Sequence, residues 1–558
     1  MGSQPRIDTF PKQPPGKVLP AAGIFAFCLV LYGLTLQKVL YGDGIFYLTI
    51  ARDVLAGKAH PVGHHPLYLP VLCGFLSLAG KVGIGPIQAG ALLSALAASA
   101  GVALTFLLFL DWLVERRGFA LFGALLLALT PTTWFFATTT ENHALHFFFT
   151  ALLLLALTKA ARNPSPLAPL VPGLLYVPAF LSHTTALMLA PFLGTLFLVL
   201  RSESGLPLPW RKQEEGKGPW PPLGRTAAFL LLLFGPVAAA RLALPWIYTF
   251  LNGGTDPFHG LDPSAATLAT LFPKAGLRPG LGEWLFANPL RLLAYTFRHA
   301  GEMLAYVRDD WLYHAGAAGV VFLLGWIPLL KRSLLKGAPW GFLPLIAFFP
   351  YAWVFSFWGF RPVEKGAYYL PVLPVLVGAG LVGILSLGLP WKKWRPWPIV
   401  LAVVILLVQA GLARRVVEDH AASRRDRRWA ADAAALALDK SKGPAFVLTG
   451  DGFRLYFLRY FHPRRVGAFQ FEDFLPVYEQ KDPSAVERLG RRLASMVEER
   501  RRSGSPVFLD DLFLEKARAH PRFWKSLSGL PWKRVSSGLA RGLLLEPKSP
   551  QERAGSRK

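Results

Sequence analysis

The sequence predicts an all-α polytopic membrane protein with about 11 transmembrane helices, followed by a small C-terminal α/β domain. The chain has 558 residues, of which 53% are hydrophobic and only 17% charged, whereas soluble proteins are usually about one quarter charged. Its apolar residues occur in blocks of roughly 16–28, long enough to cross a hydrocarbon core about 30 Å thick. After residue 413 the apolar blocks stop and a charged segment begins.

The chain carries a formal net charge of +26. Nucleic-acid binding is one interpretation of such a charge, but the positive-inside rule favours another, because short cytoplasmic loops accumulate Lys and Arg. We therefore expect the lipid bilayer as a partner and no nucleic acid. The two cysteines, Cys28 and Cys73, lie in apolar surroundings, so no disulfide framework or zinc motif is predicted.

The positions of Lys and Arg set the predicted topology. The basic segment 115–118 falls on the inner side only if the short apolar block 66–82 does not cross the membrane. We therefore predict that 66–82 is a re-entrant or juxtamembrane helix on the outer face. The spans are predicted at about 18–40, 85–110, 118–137, 143–158, 166–182, 185–200, 226–250, 314–330, 341–358, 367–388 and 397–413.

The C-terminal part has the pattern of a small soluble α/β domain. Short apolar runs at 445–450 and 506–511 predict buried strands, and 483–502 predicts a helix. A chain that starts in the cytoplasm and crosses the membrane 11 times places this domain outside the cell membrane. The predicted domains are a disordered cytoplasmic tail, a transmembrane domain with an outer-face loop at 41–84, the α/β domain and a disordered tail, at 1–17, 18–413, 414–545 and 546–558.

Two acidic residues stand out at the predicted outer face. Asp43 directly follows the first span between Gly42 and Gly44, which permit close approach of a substrate. The segment after it has the pattern of a short amphipathic helix suited to a membrane surface. Glu141 lies between two spans, beside His143. Each acid is either catalytic or ordinary: a solvated loop carboxylate for Asp43, and a helix cap at the positive end of the dipole for Glu141.

Histidines and cations are the candidate substrate-binding residues. No HExxH or similar complete metal motif occurs, so hydrogen bonding to a phosphate or sugar is favoured over metal binding, and a divalent metal stays an open alternative. The cations at 361 and 365 form either an aromatic belt with snorkelling side chains or a clamp that stabilises a leaving phosphate. The candidates are His60, His64, His65, His143, His183, Arg361, Lys365 and Tyr369.

These segments together resemble the GT-C superfamily of membrane glycosyltransferases. The similarity extends to protein O-mannosyltransferases, aminoarabinose transferases and the bacterial branch related to transmembrane O-mannosyltransferases. It rests on Asp43 after span one, HPVGHHPLY (60–68), TTWFFATTTENHAL (132–145) and YYLPVLPVL (368–376). Val62 departs from the family pattern, which has a proline there. Asp43 is not part of an Asp-x-Asp pair, which leaves metal dependence open.

The resemblance implies a hexosyltransferase that moves a sugar from a polyprenyl-phosphate donor to an acceptor hydroxyl with inversion. The acceptor would be a protein, a lipid or a glycan. Asp43 would be the general base, Glu141 the second catalytic residue, and the cations would hold the phosphate. The expected location is a bacterial inner membrane with the active site on the periplasmic face, and no cofactor is implied. The alternative is a polytopic transporter or a lipid-binding scaffold without catalytic activity.

Overall fold

The computed structural model describes residues 17–37, 40, 43–61, 65–113, 116–203, 222–254, 316–336, 339–355, 369–387, 397–418, 421–439, 444–450, 452–462, 465–471, 474 and 483–547. Most of the two predicted terminal tails lies outside these ranges. The chain divides into two compact units. The helical unit comprises Met1–Gln37, His60–Val82 and Gln88–Glu418. The α/β unit comprises Lys38–Ala59, Gly83–Ile87 and Asp419–Lys558.

Helices dominate the described chain up to residue 439. In chain order they are α1 (Val18–Leu34), α2 (Gly44–Leu55), α3 (Tyr68–Lys81), α4 (Pro86–Trp112), α5 (Arg117–Ala128), α6 (Pro131–Thr138), α7 (His143–Ala161), α8 (Leu170–Ser182), α9 (Ala190–Glu203), α10 (Pro222–Leu242), α11 (Leu244–Leu251), α12 (Ala317–Lys336), α13 (Leu343–Phe355), α14 (Leu373–Ser386), α15 (Trp397–Glu418) and α16 (Ala421–Asp439). A short 3₁₀ helix, Thr184–Leu189, joins α8 to α9.

The helices agree with a multi-pass membrane protein. Within the described residues, 5 helices are long and apolar enough to cross a membrane, or up to 7 if each of two bent pairs forms one span. Within the described residues, each predicted span overlaps a helix or one of the bent pairs. The fold class is therefore confirmed, and the protein is an integral multi-pass membrane protein. Helix α3 has only 14 residues, and its predicted place on the outer face stays a prediction.

The predicted continuous span 118–137 is instead a pair of helices, α5 and α6, bent by 59°. The cause is Pro131, which has no backbone N–H and keeps Thr130 out of the helical conformation. Thr130 adopts φ −62° and ψ 142°, and its side chain accepts a hydrogen bond from the Thr133 backbone. The break lets α6 lead directly into the turn that carries Glu141.

The α/β unit contains a five-stranded mixed sheet. Its strands are β1 (Ala445–Thr449), β2 (Val466–Gln470), β3 (Val507–Asp510), β4 (Lys533–Ser537) and β5 (Ala540–Leu545), and its further helices are α17 (Gly452–Phe461), α18 (Pro483–Arg502), α19 (Asp511–Arg518) and α20 (Pro521–Ser528). The strand order is β2-β1-β3-β5-β4. β1 pairs in parallel with β2 and β3, whereas β5 pairs antiparallel with β3 and β4. The predicted strands correspond to β1 and β3, and the predicted helix corresponds to α18.

The amphipathic helix α2 groups with the α/β unit, in which its Arg52 contacts Arg459, 407 residues later in the chain. The predicted outer-face loop 41–84 is therefore divided between the two units, because α2 packs on α17. Residues from His60 onward, including α3, group with the helical unit.

Candidate active site

A run of buried polar residues forms the turn between α6 and α7 in the helical unit. Every residue from Thr138 to His143 is buried, and the Glu141 residue is only 4% exposed. Polar and acidic groups are costly to bury unless other groups contact them, and inside a membrane protein they usually have a function. The N-cap of α7 is Asn142, which weighs against helix capping as the role of Glu141.

Small residues on α4 hold this turn in place. The Ser94 hydroxyl donates a hydrogen bond to the Glu141 carbonyl oxygen at 3.2 Å. One helical turn earlier lies Gly90, where a Cβ would stand only 2.6 Å from the Thr140 side chain. The fully buried Tyr68 lies within electrostatic range of the Glu141 carboxylate. The position of Glu141 therefore depends on the close approach of the turn to α4.

Four imidazoles gather beside this turn, with His183 in the middle. The His183 ring stacks on His65 at a centroid distance of 4.4 Å. It also lies 5.2 Å from His143 and 5.3 Å from His146. The structure thus brings together three of the predicted binding residues, His65, His143 and His183. The fourth ring, His146, is not among the predicted binding residues.

Hydrogen bonds fix the orientation of two of these rings. His146 Nδ1 lies 3.1 Å from the Ala179 carbonyl oxygen and 3.2 Å from Ser182 Oγ. The Thr185 backbone N–H donates to His183 Nδ1 at 3.2 Å. Because Nδ1 of His183 accepts, a neutral His183 carries its proton on Nε2. The cluster therefore offers imidazole donors and acceptors that suit hydroxyl or phosphate oxygens.

In the described part of the chain, no group of three His, Cys, Asp or Glu side chains could hold a metal ion. The rings of His65 and His183 lie nearly parallel, 26° apart. Face-to-face packing directs ring nitrogens to the sides of the stack, whereas metal ligands must point their nitrogens at one centre.

The other predicted binding residues have separate surroundings or lie outside the described ranges. His60 is exposed, and its ring packs on Gly253 (φ +66°), where a Cβ would stand 2.5 Å from the imidazole. Tyr369 is buried and stacks on Phe348 at 5.0 Å. The residues outside the described ranges are His64, Arg361 and Lys365.

Asp43 belongs to the α/β unit and is exposed at the N-cap of α2. Its side chain makes no capping hydrogen bond, although Asp is among the residues best suited to do so. The helix is held here by the Asp43 carbonyl oxygen, which accepts from the Tyr47 N–H at 2.9 Å. The carboxylate is thus not used to start the helix.

An open apolar groove of about 510 Å³ is lined by residues that are close in sequence to two of the clustered histidines. One wall includes Pro66 and Leu67, directly after His65, and another includes Leu181, two residues before His183. The Leu67 N–H donates to the Leu181 carbonyl oxygen at 3.1 Å and joins these walls. The remaining lining residues are Pro70, Trp246, Ile247, Phe250 and Leu251.

No protein-family model and no curated protein sequence matches the chain. Two solved membrane enzymes share its fold. The oligosaccharyltransferase AglB from Archaeoglobus fulgidus, in complex with an inhibitory peptide and a dolichol-phosphate, has a TM-score of 0.52 at 12% identity, covering 96% of this chain and 75% of that one. ArnT from Cupriavidus metallidurans, bound to undecaprenyl phosphate, has a TM-score of 0.52 at 14% identity, covering 94% and 97%. The chain therefore shares its fold with these two enzymes, which is the fold that the resemblance to the GT-C superfamily implies.

Proposed function

We propose that the protein is a membrane glycosyltransferase that moves a sugar from a polyprenyl-phosphate donor to an acceptor hydroxyl. The observation that carries this proposal is the apolar groove, whose lining residues Pro66 and Leu181 lie within two residues of the stacked His65 and His183. A polyprenyl-phosphate sugar has a long apolar chain, which suits the apolar groove, and a polar head, which suits the histidines and Glu141. The groove volume is within the usual range of ligand sites, about 300–1,000 Å³.

The two solved structures support the same class of donor. ArnT holds undecaprenyl phosphate and AglB holds a dolichol-phosphate, and both lipids are polyprenyl phosphates. The inhibitory peptide in the AglB structure makes a protein acceptor one of the three acceptor classes, beside a lipid and a glycan. We further propose that transfer takes place on the periplasmic face of a bacterial inner membrane.

We infer that the acceptor oxygen attacks the anomeric carbon of the sugar. The new C–O bond forms as the bond from this carbon to the phosphate oxygen breaks, and the electron pair stays on the phosphate. The acceptor proton passes to Asp43, which acts as general base. Attack opposite to the leaving group inverts the anomeric configuration. Phosphate leaves without a separate general acid, unlike the alkoxide leaving group of a glycosidase.

The remaining residues bind and orient the substrates in this proposal. Arg361 and Lys365 neutralise the charge that develops on the phosphate, so no metal is required. Glu141 orients the sugar or the acceptor. The imidazoles donate hydrogen bonds to phosphate or sugar oxygens, with His183 at their centre.

The groove is tested by the affinity of the purified full-length protein for undecaprenyl phosphate, measured by native mass spectrometry. Trp246→Ala removes an aromatic wall of the groove, and the loss of about 1–2 kcal/mol of apolar contact predicts binding weaker by about tenfold. Phe27→Ala is the matched control, since Phe27 is an exposed aromatic residue on α1 that does not line the groove. Equal affinity of Trp246→Ala and wild type would contradict the lipid assignment.

The chemistry is tested with labelled polyprenyl-phosphate hexoses in membranes that contain the protein. Asp43→Asn should lower turnover by about 10²–10⁴-fold, the usual contribution of a general base, and leave the affinity for undecaprenyl phosphate unchanged. Near-normal turnover by this variant would reject Asp43 as the base. A scaffold or transporter instead predicts that even the wild-type protein binds the lipid without consuming the donor.

A further inference from the structure

The helix that follows Asp43 packs on the C-terminal domain. Helix α2 contacts α17, and both belong to the α/β unit. One face of α2 is buried, including Ile45, Leu48 and Ala51. The segment that carries Asp43 is thus part of the same compact unit as the five-stranded sheet.

Arg52, in the last turn of α2, makes the specific contacts of this packing. Its Nη1 donates hydrogen bonds to the carbonyl oxygens of Arg459 and Tyr460, both at 3.2 Å. The guanidinium also lies 5.8 Å from the centre of the Tyr460 ring. Carbonyls in the last turn of a helix lack backbone partners and carry partial negative charge. Arg52 therefore caps the C-terminal end of α17 with a charge-assisted contact.

The end of α17 that receives Arg52 is itself anchored to the sheet. Arg459 donates from Nε and Nη2 to the Ala468 carbonyl oxygen of β2, at 3.1 and 2.9 Å. β2 pairs with the central part of the sheet through β1. The contacts run from α2 through Arg52 and α17 into the core of the domain.

We propose that the C-terminal domain sets the position of Asp43 by holding α2, and that Arg52 is the positioning residue of this contact. This inference rests on the proposed function, in which Asp43 is the base. Arg52 lies about 13 Å from Asp43 along the helix, at about 1.5 Å per residue, so it acts through the helix and not on the reacting atoms. A helix shorter than about 12–15 residues is marginal by itself, and α2 has only 12.

The test compares Arg52→Ala and Arg52→Lys in the full-length protein, with Lys58→Ala as the matched control. Lys58 is an exposed cation in the same segment. Amide hydrogen exchange over residues 44–55 should become about tenfold to a hundredfold faster in Arg52→Ala, as expected for the loss of a charge-assisted hydrogen bond. Arg52→Lys should restore part of the protection, because an ammonium group keeps the charge but lacks the planar guanidinium that lies over the Tyr460 ring. Lys58→Ala should exchange like the wild type.

Turnover of the labelled donor gives the second measurement. Because displacement by about 1 Å can cost about 10²-fold in rate, kcat of Arg52→Ala should fall by about that factor while KM for the donor stays within about twofold. Unchanged exchange over 44–55, or faster exchange with wild-type kcat, would overturn the proposal. If Arg52→Ala does not accumulate, Arg52→Lys provides the same comparison with a smaller change.

Normal turnover by Asp43→Asn would reject the proposed base, and with it the need to position that residue. An inactive Asp43→Asn enzyme together with a fully active Arg52→Ala enzyme would reject only the positioning role.

Discussion

Replacement of Gly90 by alanine should displace the turn that carries Glu141. A Cβ at Gly90 would stand 2.6 Å from both Oγ1 and Cγ2 of Thr140, whereas unstrained carbon contacts are about 3.5–4.0 Å. The turn and the helix must therefore separate by about 1 Å. Thr140 is only 2% exposed, so its side chain has little open space into which it could rotate.

The expected effect on stability is small and the effect on catalysis is large. Overpacking costs about 1–3 kcal/mol, of which the better helix propensity of alanine offsets about 1 kcal/mol. The Ser94 hydrogen bond to the Glu141 carbonyl, worth about 1 kcal/mol, lengthens as the turn moves. A displacement of about 1 Å at a group that orients a substrate can lower the rate by about 10²-fold.

The measurements are donor turnover in membranes and the Tm of the purified protein. Gly74→Ala is the control, because Gly74 lies within helix α3 and a Cβ there would meet nothing within 4 Å. Turnover should fall only in Gly90→Ala, with both variants still folded. Wild-type turnover in Gly90→Ala, or an equal loss in Gly74→Ala, would refute the reasoning that the approach of the turn to α4 positions Glu141.

Two further predictions concern the α/β unit. Arg454→Met removes the cation that lies 3.3 Å from the fully buried Asp510 carboxylate, and burial already raises the pKa of that carboxyl group. We expect the free energy of unfolding of the unit to fall by about 3–5 kcal/mol. Unchanged hydrogen exchange in β1 and β3 would contradict this. Burial and Arg465 lower the pKa of His462, so its contribution to stability is present above the ordinary value of about 6.5 and is lost as pH falls through the lowered value. Exchange protection of α17 should therefore decrease from pH 7.5 to pH 5.5 in the wild type and change less in His462→Gln, and a wild type insensitive to pH would exclude this linkage.

The helices of the membrane part were predictable because apolar blocks of spanning length have few alternative structures. The 59° bend at Pro131 was not predicted, since apolar composition continues across it. In the α/β unit, β1 and β3 are uniformly buried and have a clear apolar signal. β4 has mostly exposed residues and pairs on one side with β5 alone, so its sequence, KRVSS, carries little strand signal.

The grouping of residues in the candidate site was predictable where the sequence concentrates unusual residues. Glu141 and the histidines stand out in apolar surroundings, and the structure brings His65, His143 and His183 together. Ser94 was missed because a small polar residue in an apolar helix resembles ordinary helix packing. The i, i+3 spacing of His143 and His146 was the one available signal for His146.

The contact of Arg52 with α17 also has a consequence for the synthesis of the protein. Arg52 and Arg459 are 407 residues apart in the chain. At about 5–20 residues per second, the ribosome needs about 20–80 s to supply the second partner after the first. During that interval α2 has been synthesised, but α17, on which it packs, has not. We therefore expect the apolar face of α2 to bind the membrane surface or a chaperone until α17 has been made. A chain that terminates before residue 419 would insert its spans and never complete the unit that contains Asp43.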